Sequence, residues 1–539
     1  MSGTRAVLIL GGGLMQLPAV RAAQRLDLQV HLADGNAHCR ARGMVDRFYH
    51  IDLKDMEALY RQAREIPALA GVFTAGTDFS TSVAYVAEQL GLPGIPYEVS
   101  LAATDKSRMR RVLDEAGVPV PRYLRVEGSV ADATDLVERT LRYPLVIKPV
   151  DNMGARGVRR IDSPRELLST VATAQDYSRS GTAIIEELIE GTEYSLDAIV
   201  VDGSIYVTGV GERHIFFSPY FVELGHTIPA DIASEDREAL EEGFRRAIRA
   251  IGITRGAAKG DVFLTRDAHD RPRAVIGEIA ARLSGGFMSG WTYPYATGVD
   301  LTELGLRVAL GETPDTAMYA ERNGHVSVER ALISAPGTVR EVTIADEYHR
   351  SPPLRDLFVH CRAGDTVGPP SNNVEKIANA IATASNRDDA ENAAADALDR
   401  VRAHLTVGDR DTERFLFVDG WNGRFARYGG NDIVNEVSAM PAFIRAETAG
   451  SVGAKPIPLC MINPAALQTL QIGITGPVLL RRLIDEGVVR RAEDDTFALA
   501  GLFWRPFLAA GRQGVDYLLD AIDSGRLDTL RGLLEDAEP

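Results

Sequence analysis

The sequence predicts a multidomain protein of mixed α/β and α+β class that opens with a parallel α/β domain. Three observations predict it. The chain has 539 residues, too many for one core when domains run to roughly 100–200 residues. Up to about residue 104, short apolar strands alternate with helices, the pattern of an open parallel sheet. Beyond that point strand-like runs come close together, as in a largely antiparallel α+β block.

The elements follow in order. AVLIL reads as a buried strand and MQLPAVRAAQRL as the helix after it. QVHLAD and RFYHIDL are strands, DMEALYRQAREI a helix, GVFTAG a strand and TSVAYVAEQLGL a helix. TDKSRMRRVLDEA is a helix stopped by Gly117, followed by a Pro-punctuated extended segment. YPLVIKPV is a strand and SPRELLSTVATAQ a helix. AIIEELI, YSLDAIVVDG and SIYVTGVGE are strands, and DVFLTRD pairs with AVIGEIAAR across AHDRPR. PYFVELGHTIP reads as a loop. From 315 to 412 the strands are HVSVERALISA, GTVREVTI and LFVHCRAGDTV, and AENAAADALDRVRAHL is an Ala-rich helix. TGPVLLRRLIDEGVVRRAEDDTFALA reads as a helix, a glycine turn and a small hairpin, a winged-helix-like module.

Composition narrows the function. The chain is 45% hydrophobic and 25% charged, as in ordinary soluble proteins. A formal net charge of −16 argues against nucleic acid or an anionic membrane as partner. Cys39, Cys361 and Cys460 form no CxxC motif, so neither a disulfide framework nor a thiolate zinc site is expected. No run reaches the ~18 apolar residues of a membrane span, and no signal peptide is legible. A cytoplasmic location is the expectation.

Chemistry concentrates in four stretches. In VIKPVDNMGARGV an apolar strand delivers Lys148 to a loop with Gly154, Arg156 and Gly157. Glycines let backbone N–H groups approach an anion, and the lysine adds a point charge. In AIIEELIEGTE the carboxylates Glu186 and Glu187 end an apolar strand, and Glu193 stands beyond a glycine turn. Carboxylates there can accept from ribose hydroxyls. In KGDVFLT and GEIAARLSGG, Asp261 opens one strand and Glu278 ends its neighbour. Two such oxygen donors with open positions suit a magnesium ion bridging phosphates. Arg282, before Ser284, Gly285 and Gly286, suits a phosphoryl or carboxylate group.

TDK, VIKP, the glycine loop, EELIEGTE and an acidic hairpin ending GEIAARLSGG together resemble the ATP-grasp superfamily over about residues 1–410. PYFVELGHTIP with EIAARLSGG looks like the carboxylate–amine ligases of the L-amino acid ligase type. The resemblance implies an N-terminal α/β domain at 1–104, an ATP-grasp domain at 105–314 and a small C-terminal subdomain at 315–412. Residues 413–539 lie outside it.

It also implies roles. Lys106 and Lys148 contact ATP phosphates, and the loop from Asn152 through Gly154 to Gly157 closes over them. Glu186, Glu187 and Ile189 line the adenine, and Glu193 holds the ribose. Asp261 and Glu278 bind Mg2+, with Mn2+ as an alternative. Arg282 faces an acyl phosphate, and Lys259 neutralises the transferring phosphoryl. Glu223 and His226, with Ser284, Gly285 and Gly286, belong to the substrate side. Many ATP-grasp enzymes carry asparagine two residues after the second metal-binding glutamate, where this chain has Ala280.

The implied activity is ATP-dependent joining of a carboxylic acid to an amine, one of them an amino acid, with a homodimer left open. The rivals are a bicarbonate-activating carboxylase of the same fold, a non-catalytic nucleotide-binding scaffold, and an NAD-dependent oxidoreductase using GGGLMQ. That last motif has Gln16 where a dinucleotide fingerprint wants its third glycine. The resemblance implies instead that this turn faces the cleft, where Gly12 and Gly13 offer N–H groups to a substrate carboxylate.

Overall fold

A computed structural model describes residues 4–128, 131–320, 322–344, 352–419, 460–462, 489–491, 497–499 and 501–536. The chain divides into two compact units, residues 1–329 with 381–391, and residues 330–380 with 392–539.

The first unit opens with β1 (Ala6–Leu10), α1 (Leu17–Arg25), β2 (Gln29–Asp34), β3 (Arg47–His50), α2 (Met56–Arg64), β4 (Leu69–Phe73) and α3 (Ser80–Gln89). The strands form the expected parallel sheet, in the order β3-β2-β1-β4. Every residue of β1 is buried, which is why AVLIL reads as an unbroken apolar run rather than an alternating one.

After α4 (Tyr97–Thr104) comes α5 (Lys106–Glu115), capped by Asp105, whose carboxylate accepts the Ser107 and Arg108 N–H groups. A four-stranded antiparallel sheet follows. It contains β5 (Tyr123–Val126), β6 (Leu145–Pro149), β7 (Arg159–Ile161) and β8 (Ala183–Glu187), in the order β5-β8-β6-β7. Helices α6 (Ala131–Thr140) and α7 (Leu167–Tyr177) belong to this block. α6 has no counterpart in the sequence reading.

The large sheet is built from β9 (Thr192–Val201), β10 (Ser204–Phe216), β11 (Val222–Ile228), β12 (Gly256–Arg266) and β13 (Pro272–Ala280), in the order β13-β12-β9-β10-β11. Residues 326–329 and 381–384 extend it within this unit. PYFVELGHTIP, expected as a loop, contains β11. All seven of its residues are buried, so pairing with β10 overrides the weak local pattern. Between β11 and β12 the chain forms α8 (Ser234–Ile251), also absent from the sequence reading. Its apolar stripe of Leu240, Phe244, Ala247, Ile248 and Ile251 is buried at the 3.6-residue period. Removing the Phe244 ring would cost about 3–5 kcal/mol. α9 (Tyr293–Thr297) and α10 (Leu301–Ala309) complete this stretch.

The second unit contains residues 330–333 of β14 (Val326–Ile333), β15 (Gly337–Ile344), β16 (Leu354–Val359), β17 (Thr366–Val367), residues 376–380 of β18 (Lys376–Ala384) and β19 (Val401–Leu405). β17, β15 and β19 form one antiparallel sheet. AENAAADALDRVRAHL is not one helix. α11 (Arg387–Asp399) stops, and VRAHL becomes β19 with an alternating burial pattern, because its β-branched start pairs with β15.

After α12 (Arg410–Glu413), two helices absent from the sequence reading close this unit, α13 (Gly501–Asp523) and α14 (Leu527–Asp536). Gln513 on α13 donates to Ser334 Oγ (2.8 Å) and to the Ala403 carbonyl (3.0 Å). Tyr517 is buried, and its hydroxyl accepts the Gly408 N–H (2.9 Å). The strands Val489–Arg491 and Phe497–Leu499 pair antiparallel, as the hairpin was expected to. The helix expected just before them lies outside the described residues. Among the described residues no helix is long and apolar enough to cross a membrane.

Candidate active site

Asp261 on β12 stands opposite Glu278 on β13 in register. Lys259, two residues before Asp261 and so on the same face, pairs with the Asp261 carboxylate. Lys106, the first residue of α5, reaches Glu278 Oε1 at 3.3 Å and donates to the Asn152 carbonyl at 3.0 Å. Burial alone would raise the Glu278 carboxyl. The Lys106, Lys259 and Arg282 charges instead hold it far below the usual range.

Lys148 leaves β6 and donates to Glu186 Oε2 at 2.6 Å. Arg110, one helical turn after Lys106, donates from Nε to Glu186 Oε1 at 2.7 Å. Glu186 is 2% exposed and Arg110 0%. Burial pushes the Glu186 carboxyl up, but the two cations outweigh it and hold it near 2. Glu186 was expected to line the adenine. Its side chain is taken up instead by Arg110 and Lys148, on the face of β8 opposite the one that Ala183 and Ile185 bury in the hydrophobic core. Glu187 also has a protein partner, the Arg142 N–H (3.0 Å), while Ile189 follows in the turn beyond β8.

Arg213 of β10 links the rest of the site. It pairs with Glu193, with Asp261 Oδ1 (2.8 Å) and, through Nε, with Glu223 Oε2 (2.9 Å). Burial pushes the Glu193 carboxyl up, the Asp261 charge adds to this, and Arg213 opposes it. His226 lies between two carboxylates, with Nε2 3.2 Å from Glu223 and Nδ1 2.8 Å from the fully buried Glu329. Burial lowers the imidazole, but these carboxylates raise it above its ordinary value.

The glycine loop is held at both ends. Asn152 donates to the Tyr177 carbonyl (2.7 Å), and Arg156 donates to the Met153 carbonyl (3.1 Å). Gly154 and Gly157 adopt positive φ of 67° and 72°, which L side chains rarely tolerate. On the substrate side, the Ser284 N–H donates to Asp197 Oδ1 (2.9 Å), and burial raises the Asp197 carboxyl to about 6. Arg282 donates to the Leu283 carbonyl (2.9 Å). Gly285 touches the N-terminal domain, since a Cβ there would lie 2.9 Å from the Gly76 carbonyl oxygen.

At the N-terminal turn the Gly12 N–H donates to Asp34 Oδ2 (2.6 Å). It is not free for a substrate carboxylate, because the acidic side chain at the end of β2 neutralises this turn from within the protein. Gln16 bridges to the facing loop, its amide meeting both the N–H (2.9 Å) and the carbonyl of Ala75. It ties two strand ends together where a dinucleotide fingerprint would leave room for phosphate.

Asp261 and Glu278 fit a divalent cation. Asp261 Oδ1 is buried and takes no hydrogen bond, only the Arg213 ion pair. Among the described residues no set of three or more carboxylate, imidazole or thiol groups encloses a metal. Magnesium needs none, because it is commonly held by one or two carboxylates plus substrate phosphates. Sequence reasoning missed Arg110, Arg213 and Glu329. Arg110 had a signal, its i, i+4 spacing from Lys106. Arg213 and Glu329 are brought in by strand pairing and had none.

Two parts of the chain match known domain families. Residues 141–289 match the ATP-grasp domain family, and residues 330–406 match L-amino acid ligase C-terminal domain 2. Human carnosine synthase 1 is 24% identical over 360 residues, 62% of this chain and 43% of that protein. The L-arginine-specific L-amino acid ligase of Bacillus subtilis is 22% identical over 325 residues, 59% of this chain and 75% of that protein. The L-amino acid ligase structure from Bacillus licheniformis superposes with a TM-score of 0.63 at 22% identity, over 75% of this chain and all of that one. The chain thus spans less than half of the human relative.

Proposed function

We propose that this chain, a member of the ATP-grasp superfamily, is an ATP-dependent ligase that joins a small carboxylic acid to an amine, one of them an amino acid. The observation that carries this reading is the facing pair Asp261 and Glu278, flanked by Lys106 and Lys259. In the reaction, the substrate carboxylate attacks the γ-phosphorus of ATP, giving an acyl phosphate and ADP. The amine then attacks the acyl carbon, loses a proton and releases phosphate. A magnesium ion held by Asp261 and Glu278 would neutralise phosphate charge.

The chain's own residues do the positioning. Lys106 and Lys148 face the phosphates, and Arg282 with Lys259 offsets the charge of the transferring phosphoryl. Glu193 accepts from the ribose, and Ile189 borders the base. The loop from Asn152 to Gly157 excludes water from the acyl phosphate. Glu223 and His226, beside Ser284, Gly285 and Gly286, orient the substrate acid or amine. In this reading residues 105–314 carry the chemistry, residues 315–412 form the small subdomain, and the protein works in the cytoplasm. The match at residues 330–406 to the L-amino acid ligase domain supports a ligase over a carboxylase.

The test is a matrix of amino acids and small acids with ATP and Mg2+, scored by phosphate release and mass detection of the product. ATP with Mg2+ should also raise the melting temperature. Stabilisation by NADH and not by ATP would overturn the reading.

A further inference from the structure

We propose that Arg110 is the positioning residue that sets both halves of this site, holding Lys148 through Glu186 and Glu278 through the backbone beside it. The assignment rests on the nucleotide–metal reading above and deepens it.

The argument starts from a strand irregularity. Asp261 pairs with Glu278, but the next residue, Val262, pairs with Ile276. Gly277 is thus the extra residue of a bulge, and bulges beside active sites re-aim a neighbouring side chain. Here the neighbour is Glu278. A Cβ at position 277 would lie 2.7 Å from the Phe263 ring and 3.0 Å from the Asp261 carbonyl oxygen, so the bulge requires glycine. A residue out of register offers its carbonyl away from the ladder, where it needs another donor. Arg110 Nη2 supplies it, at 2.6 Å from Gly277 O.

The same guanidinium faces the other sheet. Its Nε meets Glu186 Oε1, and the second oxygen of Glu186 holds Lys148 Nζ. One planar group with divergent donors therefore links the carboxylate that holds a phosphate lysine on the small sheet to the backbone just before a metal carboxylate on the large one. A lysine, a single point charge, cannot satisfy both acceptors. The rest of α5 makes parallel contacts. Lys106 reaches Glu278, and Met109 Sδ accepts the Ile279 N–H at 3.2 Å.

The test titrates ADP calorimetrically, with EDTA and with Mg2+, alongside thermal melting and steady-state kinetics. Arg110→Lys keeps the charge and shortens the reach. It should weaken ADP in EDTA about fivefold and raise the half-saturating Mg2+ concentration about tenfold. Glu186→Gln leaves the Gly277 contact in place, so it should weaken ADP in EDTA while keeping the wild-type Mg2+ requirement. If Arg110→Lys fails to fold, the double variant Arg110→Met, Glu186→Leu removes the buried charges together, a change buried pairs often tolerate. It should fold and still need more Mg2+. Folded variants of Arg110 with wild-type ADP affinity and Mg2+ requirement would overturn this assignment alone. A wild-type chain that binds no ADP in either condition would overturn the proposed function, and this assignment with it.

Discussion

Asp261 and Glu278 face each other across β12 and β13, and each is held by a lysine, the first by Lys259 and the second by Lys106 at 3.3 Å. Both ends of the proposed metal position are therefore already charge-balanced by groups assigned to phosphates. A metal–nucleotide complex exchanges these ion pairs for metal and phosphate contacts. Glu278→Gln should lower kcat by about 10²–10³, in line with loss of one electrostatic group, and should also lower the melting temperature, because Lys106, Lys259 and Arg282 lose the carboxylate that they hold charged. Retention of more than a tenth of the wild-type rate in the phosphate-release assay would remove Glu278 from the metal site.

Glu186 makes stability pH-dependent. Its folded carboxyl sits near 2 against an ordinary 4.5. The associated stability is fully present above about 4.5 and is lost as pH falls from there toward 2. At neutral pH it amounts to about 3 kcal/mol. Urea unfolding should show Glu186→Gln less stable than wild type by about that much at pH 7, with the gap shrinking by pH 3. A gap independent of pH would refute the ion-pair account.

His226 works with the opposite sign. Glu223 and Glu329 raise its folded value, so its contribution is complete below the ordinary value of 6.5 and fades as pH rises through the folded one. Glu329→Gln should move the His226 titration to lower pH. Histidine-selective NMR reads this directly, and an unmoved midpoint would show that Glu329 does not hold the proton.

Gly286 has a φ of +59°, and a Cβ there would lie 3.3 Å from Glu223 Oε1 and 3.4 Å from His226 Cε1. Gly286→Ala should cost about 1–2 kcal/mol through the left-handed backbone. It should also raise KM for the substrate on the Glu223–His226 side severalfold, leaving KM for ATP unchanged. An increase confined to ATP would place that substrate elsewhere.

In the second unit, Tyr517→Phe deprives the Gly408 N–H of its acceptor. The loss should be about 0.5–1.5 kcal/mol, the net worth of one hydrogen bond, seen as a lower melting temperature. No measurable shift would mean that water takes the place of the hydroxyl.

How far the sequence was legible follows from where each signal resides. The parallel N-terminal sheet was legible because AVLIL is a fully buried strand that runs into a glycine turn and because short strands alternate with helices after it. The pairing of Asp261 with Glu278 was legible because a single hairpin joins them. β11 and β19 were not: Val222–Ile228 is a strand through a hairpin with β10 that its weak local pattern does not announce, and Val401–Leu405 through β15, which is distant in sequence. The partners of Glu186 were not legible, because local pattern places a carboxylate at a strand end without saying which face it takes. α8 was there to be found, its apolar residues spaced in helical period between charged ones. Gln16 and Asp34 raised a cofactor question in sequence that only their bonds to Ala75 and Gly12 answer.

Gly76 in the loop after β4 and Gly285 beside Arg282 are packed backbone to backbone. A Cβ on the first would lie 2.9 Å from the Cα of the second, and one on the second 2.9 Å from the carbonyl oxygen of the first. Neither position has room for a side chain, and neither loop can be redrawn alone. Any attempt to graft a new specificity onto residues 282–287 must carry the partner loop of the N-terminal domain with it. The unit of exchange between such proteins is the pair of loops, though more than two hundred residues of chain lie between them.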